Sequence, residues 1–510
     1  KPKCSKITSL PKLLQMKKND GEFSVPTRQS YVAIIMILFK TINIVFRQLI
    51  PVLVVILLGG SEKFDYILWV ISVIALLSMI YAIVNFFRTY FYIQDDELVM
   101  HTGVFSHKKT IIPLERVQSV NFEQNIAHQI FDVLKLNIDT AGTEKNEFQF
   151  QAIDAQKAKR LREIIMAGEK VSTGIALNTF DENQPNKSAY KEILSLGFTD
   201  LLKIGLTENH IRSGGLIFVF FLWIYQNLQE AGLDVDEYSE EIPEWEWGIN
   251  GIVLIVFVFL MISILISLGR TVIKYFDLQF LRFDNGFKIV SGIFTKKEVS
   301  AQDHKIQFIS WSDNLLRKII GYKNLKLHQT TASKANKSQL IQIPGCKVHH
   351  IQDVVDTIFD NKDINEIEVE RVSFFYFKRF AMIWTGIITI VGLILLWFEL
   401  YNQMWLLTGL VIMMIIGRFL SYRKIAYGHD GQLLVLKGGI FGDKNTILPL
   451  YKVQTVKIYE TPFLRKKSLC TLILRTASGQ ITIPYLPSES GRNLGDFILY
   501  KIESTHRKWM

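Results

Sequence analysis

Long apolar runs recur in pairs along the chain, and each pair is followed by a stretch in which apolar and polar residues alternate. The three longest uncharged runs are residues 66–87, 248–269 and 380–398. Each has roughly 20 residues, which is the length of a helix that crosses the hydrocarbon core of a bilayer. The pattern therefore predicts a membrane-spanning helix at each of these positions.

A weaker apolar run lies beside each strong one, at residues 41–60, 214–228 and 401–417. Arg47 and Pro51 interrupt the first of these runs, and the second is short for a span. A buried helix of a soluble domain is the alternative in each case. Pairing with a strong neighbour favours a hairpin, so we predict six transmembrane helices in three hairpins. Amphipathic segments at 31–46 and 194–211 lead into the first two hairpins and are expected to lie at the interface or pack on the neighbouring module.

The alternating stretches predict short strands followed by one helix. Predicted strands include residues 98–105, 134–140, 325–330 and 469–476, and the predicted closing helices are 155–166, 348–359 and 489–503. Apolar residues recur at helical spacing in the first closing helix, at Ala158, Leu161, Ile164 and Ile165. Short strands closed by one amphipathic helix are the layout of a pleckstrin-homology (PH) barrel. The predicted fold class is an α+β membrane protein in which a PH-like β-barrel or sandwich with a C-terminal helix follows each hairpin.

The strand-rich stretches are copies of one unit. Each copy has a Gly-Val/Ile-Phe triplet, a polar turn, and then a basic residue, Val or Ile, and Gln. The glycines are Gly103, Gly292 and Gly439, and the glutamine lies thirteen positions after the triplet's Phe in every copy.

The repeat and the changes in polarity divide the chain. We predict a basic N-terminal arm (1–30), hairpin 1 (31–90), PH-like domain 1 (91–167), a linker (168–190), hairpin 2 (191–275) with an acidic outer loop (226–248), PH-like domain 2 (276–361), a linker (362–372), hairpin 3 (373–421) and PH-like domain 3 (422–506).

Charge orients the hairpins. The net charge is +10, yet residues 226–248 carry eight acidic residues and no Lys or Arg. The opposite ends of the apolar runs are basic, and basic flanks stay in the cytoplasm. We therefore expect cytoplasmic termini and PH-like domains, with the acidic loop outside. The three cysteines are isolated in the sequence, which is typical of free thiols in a reducing compartment.

Catalytic signatures are missing from the sequence. It has no phosphate-binding loop, no Gly-x-Gly-x-x-Gly, no nucleophile elbow and no His-Glu-x-x-His pair. His349 and His350 are adjacent, and adjacent helical positions suit a shared metal poorly. We predict no enzymatic activity, no catalytic or metal-binding residues and no cofactor.

The repeated basic-Val/Ile-Gln motif and the basic turns are the candidate partner or head-group surface. The residues are Arg116, Gln118, Lys305, Gln307, Lys452, Gln454, Lys108, Lys109, Lys296 and Lys297. Two interpretations stay open for both features. The motif either binds a partner or anion, or it is an ordinary strand with its Val or Ile in the core. The turns either bind anionic lipid head groups or are simply solvated.

The first module resembles the YdbS/YdbT type of bacterial PH-domain membrane proteins. The similarity rests on the segment from Gly103 through Pro113, Arg116 and Gln118 to Thr140-Ala-Gly, and the third module matches at Gly439, Pro449, Lys452 and Gln454. The second module departs from it, with Gln302 in place of the proline. The resemblance implies a PH-like fold, a location in the bacterial cell (inner) membrane, a smaller single-module partner and a link to envelope stress or antimicrobial-peptide defence. It implies no chemistry.

Taken together, these features predict a non-catalytic membrane scaffold that works through its PH-like domains. The expected partners are membrane lipids, a smaller single-module PH-domain membrane protein, and further copies of the chain, with no nucleic acid. Two alternatives remain: an exporter of an amphipathic peptide and a sensor of anionic lipid.

Overall fold

The computed structural model of the protein describes residues 23–39, 64–140 except 105, 148–172, 191–208, 249–329 except 284, 341–359, 366–398 and 401–504, with isolated positions at 43 and between 210 and 226. The acidic loop from 227 to 248, nearly all of the weak run at 41–60, two thirds of the weak run at 214–228, and most of the linker at 168–190 lie outside the described residues.

Three modules of seven strands follow one another. The first contains β1 (Thr27–Arg28), β2 (Tyr90–Gln94), β3 (Glu97–Thr102), β4 (Lys108–Pro113), β5 (Val117–Asn125), β6 (Val133–Thr140) and β7 (Phe148–Asp154). The second contains β8 (Lys191–Ser195), β9 (Gln279–Phe283), β10 (Gly286–Ser291), β11 (Thr295–Gln302), β12 (Ile306–Ser312), β13 (Lys323–Gln329) and β14 (Ile341–Cys346). The third contains β15 (Glu370–Arg371), β16 (Ala426–His429), β17 (Leu433–Gly438), β18 (Lys444–Pro449), β19 (Thr455–Tyr459), β20 (Leu469–Thr476) and β21 (Gly479–Pro487).

The helices fall into three groups. The long apolar helices are α1 (Phe64–Arg88), α5 (Ile249–Tyr275), α8 (Phe375–Trp397) and α9 (Tyr401–Lys424). The helices that close the modules are α3 (Ala155–Ser172), α7 (Val348–Ile358) and α11 (Ser488–Ser504). Short helices are α2 (Ile126–Ile130), α4 (Phe198–Leu206), α6 (Leu315–Ile320) and α10 (Pro462–Arg465).

Each module stacks a four-stranded unit on a three-stranded unit, and its closing helix packs over the core between them. In the first module, Ala158, Leu161 and Ile165 of α3 are at most 1% exposed, as their helical spacing predicts, whereas Ile164 is 37% exposed and lies at the edge of this face. Leu494 and Ile498 of α11 hold the same place in the third module. The predicted repeated α+β architecture is confirmed.

The glycine of each repeated triplet lies in the turn after the third strand of its module. Gly103, Gly292 and Gly439 all have positive φ, between 107° and 124°. A Cβ at any of them would fall 2.2 Å or less from a backbone carbonyl oxygen three residues later. Only glycine fits such a turn without strain, which explains why the triplet recurs in the sequence.

The long apolar helices are inserted within the modules. β1, β8 and β15 precede α1, α5 and α8 in sequence, yet each pairs with the first strand that follows the inserted segment. Each module therefore begins before its apolar segment, and the predicted linker at 362–372 contains β15. The sequence analysis missed these strands because a run of two to five residues shows too little alternation to be read.

The segment leading into the second hairpin also differs from its prediction. Residues 194–211 were expected to form one amphipathic segment, but Leu194 belongs to β8 and the helix α4 begins only at Phe198. Leu201 and Ile204 of α4 are buried in the second module's core. The helix therefore packs on the module, which is one of the two placements expected.

Two described helices are long and apolar enough to cross a membrane, Val256–Tyr275 and Phe375–Trp397. The third strong run lies in α1, and the weak run at 401–417 is helical as part of α9. Several apolar side chains of α5 and α8 are more than half exposed, among them Phe257, Leu265 and Ile390. Exposed apolar faces of this kind are expected of helices that contact lipid.

Adding a methyl group at Gly428 tests whether β15 belongs to the third module. A Cβ at Gly428 would approach the carbonyl oxygen of Glu368 to 2.1 Å, whereas one at Gly438 has nothing closer than 4.0 Å. Gly428→Ala should therefore lower the thermal unfolding midpoint in detergent by several degrees, through a strain of about 1–3 kcal/mol. Gly438→Ala is the matched control from the same sheet. Equal midpoints for the two variants would contradict the placement of β15.

Candidate functional site at the module junctions

The modules are joined edge to edge through their sheets. β5 of the first module pairs with β11 of the second, and β12 of the second pairs with β18 of the third. The result is two seven-stranded sheets, ordered β7-β6-β5-β11-β10-β9-β8 and β14-β13-β12-β18-β17-β16-β15. We call these two contacts the first and the second junction.

The two junctions share one register. Lys297 lies opposite Glu123 in the first junction, and Lys444 lies opposite Ser312 in the second. Glu123 and Ser312 each follow the motif's Val or Ile by six residues, and Lys297 and Lys444 each follow the turn glycine by five. The same edge of one module thus meets the same edge of the next in both places.

Ion pairs flank the first junction. Glu298 on β11 pairs with Lys288 at 2.8 Å and with Arg162 of the preceding module's closing helix. Burial alone would raise the pKa of Glu298, but the two neighbouring cations hold it below its ordinary value. Lys297 adds a longer contact to Glu123, at 3.4 Å.

Asp443 of the third module makes polar contacts across the second junction. Its backbone N–H donates to the Asp313 carboxylate at 2.6 Å, and its carbonyl oxygen accepts from the Asp313 N–H at 3.0 Å. Its carboxylate pairs with Lys318 of the second module at 2.7 Å and with Lys424 of α9 at 2.8 Å. The Asp443 contacts therefore connect the two modules to the end of a hairpin helix.

The basic residue of the motif contacts the preceding module. In all three modules it ends a 3-10 turn, at Arg116, Lys305 and Lys452. Lys305 Nζ donates to the carbonyl oxygen of Val117 at 3.3 Å, and Lys452 Nζ donates to that of His304. Both lysines are buried, and burial lowers the pKa of Lys452 to about 8. Two of the predicted partner-binding residues are thus occupied within the chain.

Apolar side chains also cross the second junction. Phe308 of the second module packs into the third module's core with Leu434 and Leu448. In return, Ile447 and Val435 of the third module belong to the second module's core. The two modules are thus fused through a shared sheet.

The remaining predicted residues are divided between junctions and surface. Lys108, Lys109 and Arg116 of the first module are exposed, as are Lys296 and Gln454. Gln307 is fully buried and donates to Lys305 O at 3.5 Å. Gln118 lies in β5 at the irregularity between Val117 and Ser119, as Gln307 does between Ile306 and Phe308. The glutamine thus lies at a register irregularity in the first two modules, whereas Gln454 directly precedes β19 in the third.

Sequence reasoning missed a pair of buried polar contacts beside the junction strands. In the first module, Ser119 donates to Asp139 at 2.6 Å, and in the second, Ser310 bonds His328 at 2.9 Å. Burial, followed by the Lys326 and Lys444 charges, lowers the pKa of His328 to about 4. No signal in the sequence marks these contacts, because the residue types differ between modules.

The turn after each module's third strand lies beside the end of a hairpin helix. Arg88 contacts His107 at 3.0 Å, the N–H of Ile293 donates to Ile273 O at 3.2 Å, and Lys424 Nζ donates to Phe441 O at 3.0 Å. The basic turns are therefore held next to the helices that are expected to enter the bilayer. Within the described part of the chain, no group of three or more His, Cys, Asp or Glu is arranged to hold a metal ion.

Replacing Lys452 tests the cost of its burial. Its folded-state pKa of about 8 lies below the unfolded value of 10.5, so the folded state loses this proton first. Stability therefore rises as pH increases from about 8 to 10.5, and below that window the buried charge opposes folding. We expect the thermal midpoint of Lys452→Met relative to wild type to fall as pH is raised from 7 to 10. Lys437→Met, at an exposed position of β17, should follow wild type, and parallel profiles for all three proteins would contradict the assignment.

Comparison with known proteins supports the resemblance seen in the motifs. The model of the family described as Bacterial PH domain matches residues 40–168, 233–362 and 374–502. The chain is also similar to the UPF0699 transmembrane protein YdbT of Bacillus subtilis (strain 168), with 24% identity over 465 residues, which is 88% of this chain and 92% of that relative. With three matches that together cover most of its length and correspond to the three observed modules, the chain belongs to the bacterial PH domain family.

Proposed function

We propose that the protein is a non-catalytic membrane scaffold whose PH-like modules form one continuous β array. The observation that carries this proposal is the pairing of β5 with β11 and of β12 with β18, which fuses three modules into a single body. A fused array presents its surfaces at fixed spacing, which favours repeated contacts with partners. Membrane anchoring keeps those contacts in one plane.

The proposed anchor is a set of six helices in three hairpins. α8 and α9 are joined by a short connection and pack together, which supports the third hairpin. For the first two hairpins the support is one long apolar helix each, α1 and α5, together with a second apolar run in the sequence. The basic ends of these helices favour a topology with cytoplasmic modules and an external acidic loop. The proposed membrane is the bacterial inner membrane.

The proposed biological setting is envelope stress or antimicrobial-peptide defence. The proposed protein partners are further copies of the chain and a smaller single-module PH-domain membrane protein. The support is the resemblance of the motifs to the YdbS/YdbT type, together with the exposed motif residues Arg116 and Gln454.

Sensing of anionic lipid is a second candidate, favoured by the position of the basic turns. Lys108, Lys109 and Lys296 are exposed and lie in or beside turns that contact the hairpin helices. A lysine near an anionic surface gains about 1 kcal/mol of attraction without a shaped site. Such attraction would hold a module against the bilayer, and a scaffold protein would also benefit from this placement.

Cysteine accessibility in intact cells tests the topology. In a Cys4→Ser background, a cysteine at Glu240 should react with a membrane-impermeant thiol reagent, and one at Lys108 should react only after permeabilisation. Cys346 and Cys470 are buried and provide little background. Labelling at Lys108 alone in intact cells would reverse the proposed orientation.

Neutralising the basic turns separates the scaffold from the lipid sensor. Lys108→Gln with Lys109→Gln removes two charges and leaves the backbone of β4 free to pair. A scaffold should keep its native mass and its co-purifying proteins after extraction in mild detergent, measured by native mass spectrometry. A lipid sensor should instead lose bound anionic lipid. Purification of a single chain with only anionic lipid, which is lost from the double variant, would overturn the scaffold proposal.

A further inference from the structure

The array has one unpaired strand edge of junction type at each end. In the described sheets, β4 pairs only with β3, and β19 pairs only with β20. Their counterparts inside the chain are paired across junctions: β11 and β18 correspond to β4, and β5 and β12 correspond to β19. We call β4 the head edge and β19 the tail edge.

Side chains at the two free edges are exposed where their counterparts are buried. Ile111 on the head edge is 44% exposed, whereas Ile447, at the same position of β18, is 0% exposed. On the tail edge, Ile458 is 36% exposed, whereas Phe122, at the same position of β5, is 7% exposed. Ile447 is buried because it packs in the core of its junction partner, whereas no described strand lies beside Ile111 or Ile458 on the junction side.

The sheet face beside the tail edge shows the same contrast. Ser119, Asn121 and Asp139 of the first module are buried, at 6%, 4% and 2% exposure. Their counterparts in the third module, Thr455, Lys457 and Arg475, are all exposed. A further module seated at the tail, as the second is seated on the first, would cover this face.

Arg116 gives the head end an unused donor. Its counterparts Lys305 and Lys452 both donate to backbone carbonyls of the preceding module. Arg116 is exposed, and no described module lies on that side of the first module. At the head it therefore faces the position where the tail of another array would bring carbonyl oxygens.

Lysine and proline commonly protect exposed strand edges against association. The head edge has Lys108 at its start and Pro113 at its end. The paired strand β18 has Lys444 and Pro449 at the same positions and still forms the second junction. A lysine and a proline at these two positions therefore do not prevent a strand of this type from pairing across a junction.

We propose that the tail edge of one copy pairs with the head edge of a second copy, in the register of the two internal junctions. That register places Lys108 opposite Tyr459 and Ile111 opposite Val456 of the neighbouring copy. Such a contact is head-to-tail, so it closes into a ring or extends as a filament. The inference rests on the proposed scaffold function and names its partner.

A second copy is the occupant because this chain carries both halves of the contact. Its two internal junctions show that head and tail edges of unlike sequence pair in one register. Each internal junction also joins modules that have their own hairpins, so the geometry is compatible with anchoring of both partners in one membrane. A soluble peptide could add to either edge, but it would leave the sheet face around Lys457 and Arg475 uncovered.

Disulfide cross-linking in native membranes tests the register. In a Cys4→Ser background, the pair Lys108→Cys and Tyr459→Cys should give a ladder of cross-linked multimers, because directly opposed residues have Cβ atoms about 4.5–5.5 Å apart. The positive control is Lys444→Cys with Ser312→Cys, the same positions within one chain, read as loss of free thiol without a mass change. Lys108→Cys with Thr455→Cys is four residues out of register and should cross-link at least about tenfold less, because one strand residue spans about 3.3 Å.

A blocking variant supports the same test without cysteines. Ile111→Glu changes an exposed residue in the single copy but places a carboxylate where Ile447 is fully buried in the second junction. It should weaken self-association by about tenfold or more, measured by native mass in mild detergent. Val348→Glu changes a residue that is 60% exposed and distant in sequence from both edges, and should leave self-association unchanged.

The proposal is overturned if the in-register pair stays monomeric while the internal control pair forms its disulfide. It is also overturned if Ile111→Glu and Val348→Glu show the same native mass as wild type. A different protein that co-purifies with monomeric chains would leave the scaffold function standing and refute only self-assembly. A single chain with no protein partner at all would refute both.

Discussion

The antiparallel ladder between consecutive modules is the interaction on which the rest of the structure depends. It converts two strand edges that would otherwise be open into interior strands of seven-stranded sheets. It also brings Phe308 of the second module into the third module's core and Ile447 of the third module into the second module's core. No exposed surface therefore separates these two modules at the junction. The polar contacts of Glu298 and Asp443 then fix a register that backbone pairing alone would leave free to slip.

The ladder also explains how lysines come to be buried at these sites. Lys305 and Lys452 lie where two modules meet. Lys305 donates to the carbonyl oxygen of Val117 at the start of β5, and Lys452 donates to that of His304 within a 3-10 turn. A buried ammonium group is costly, and the depressed pKa of Lys452 records that cost. The equivalent residue Arg116 is exposed, and no described module packs against the first module on that side.

The sequence is sufficient to predict the features with a local period. The spacing of Ala158, Leu161 and Ile165 predicts the closing helix, and the spaced triplets and glutamines predict the repeat. The junctions have no such signal, because pairing between Lys297 and Glu123 joins residues that are far apart in the chain. Lys108 and Lys297 look alike as sequence, and only the presence or absence of a neighbouring module distinguishes an exposed turn from a junction. The roles of Ser119 and His328 are likewise set by three-dimensional surroundings.

The insertion of the long apolar helices between neighbouring strands makes each inserted segment a long loop in topological terms. Arg371 lies opposite Ala426 in the ladder, so the chain leaves the third module and re-enters it on adjacent strands, about 5 Å apart. A chain that began after α9 would lack β15 and would leave the edge of β16 unpaired. Excision of α8 and α9 with a tight turn in their place would keep β15 and β16 paired. The strand pairing of the modules is thus compatible with removal of the apolar helices by shortening loops, whereas cutting the chain into consecutive domains would separate paired strands.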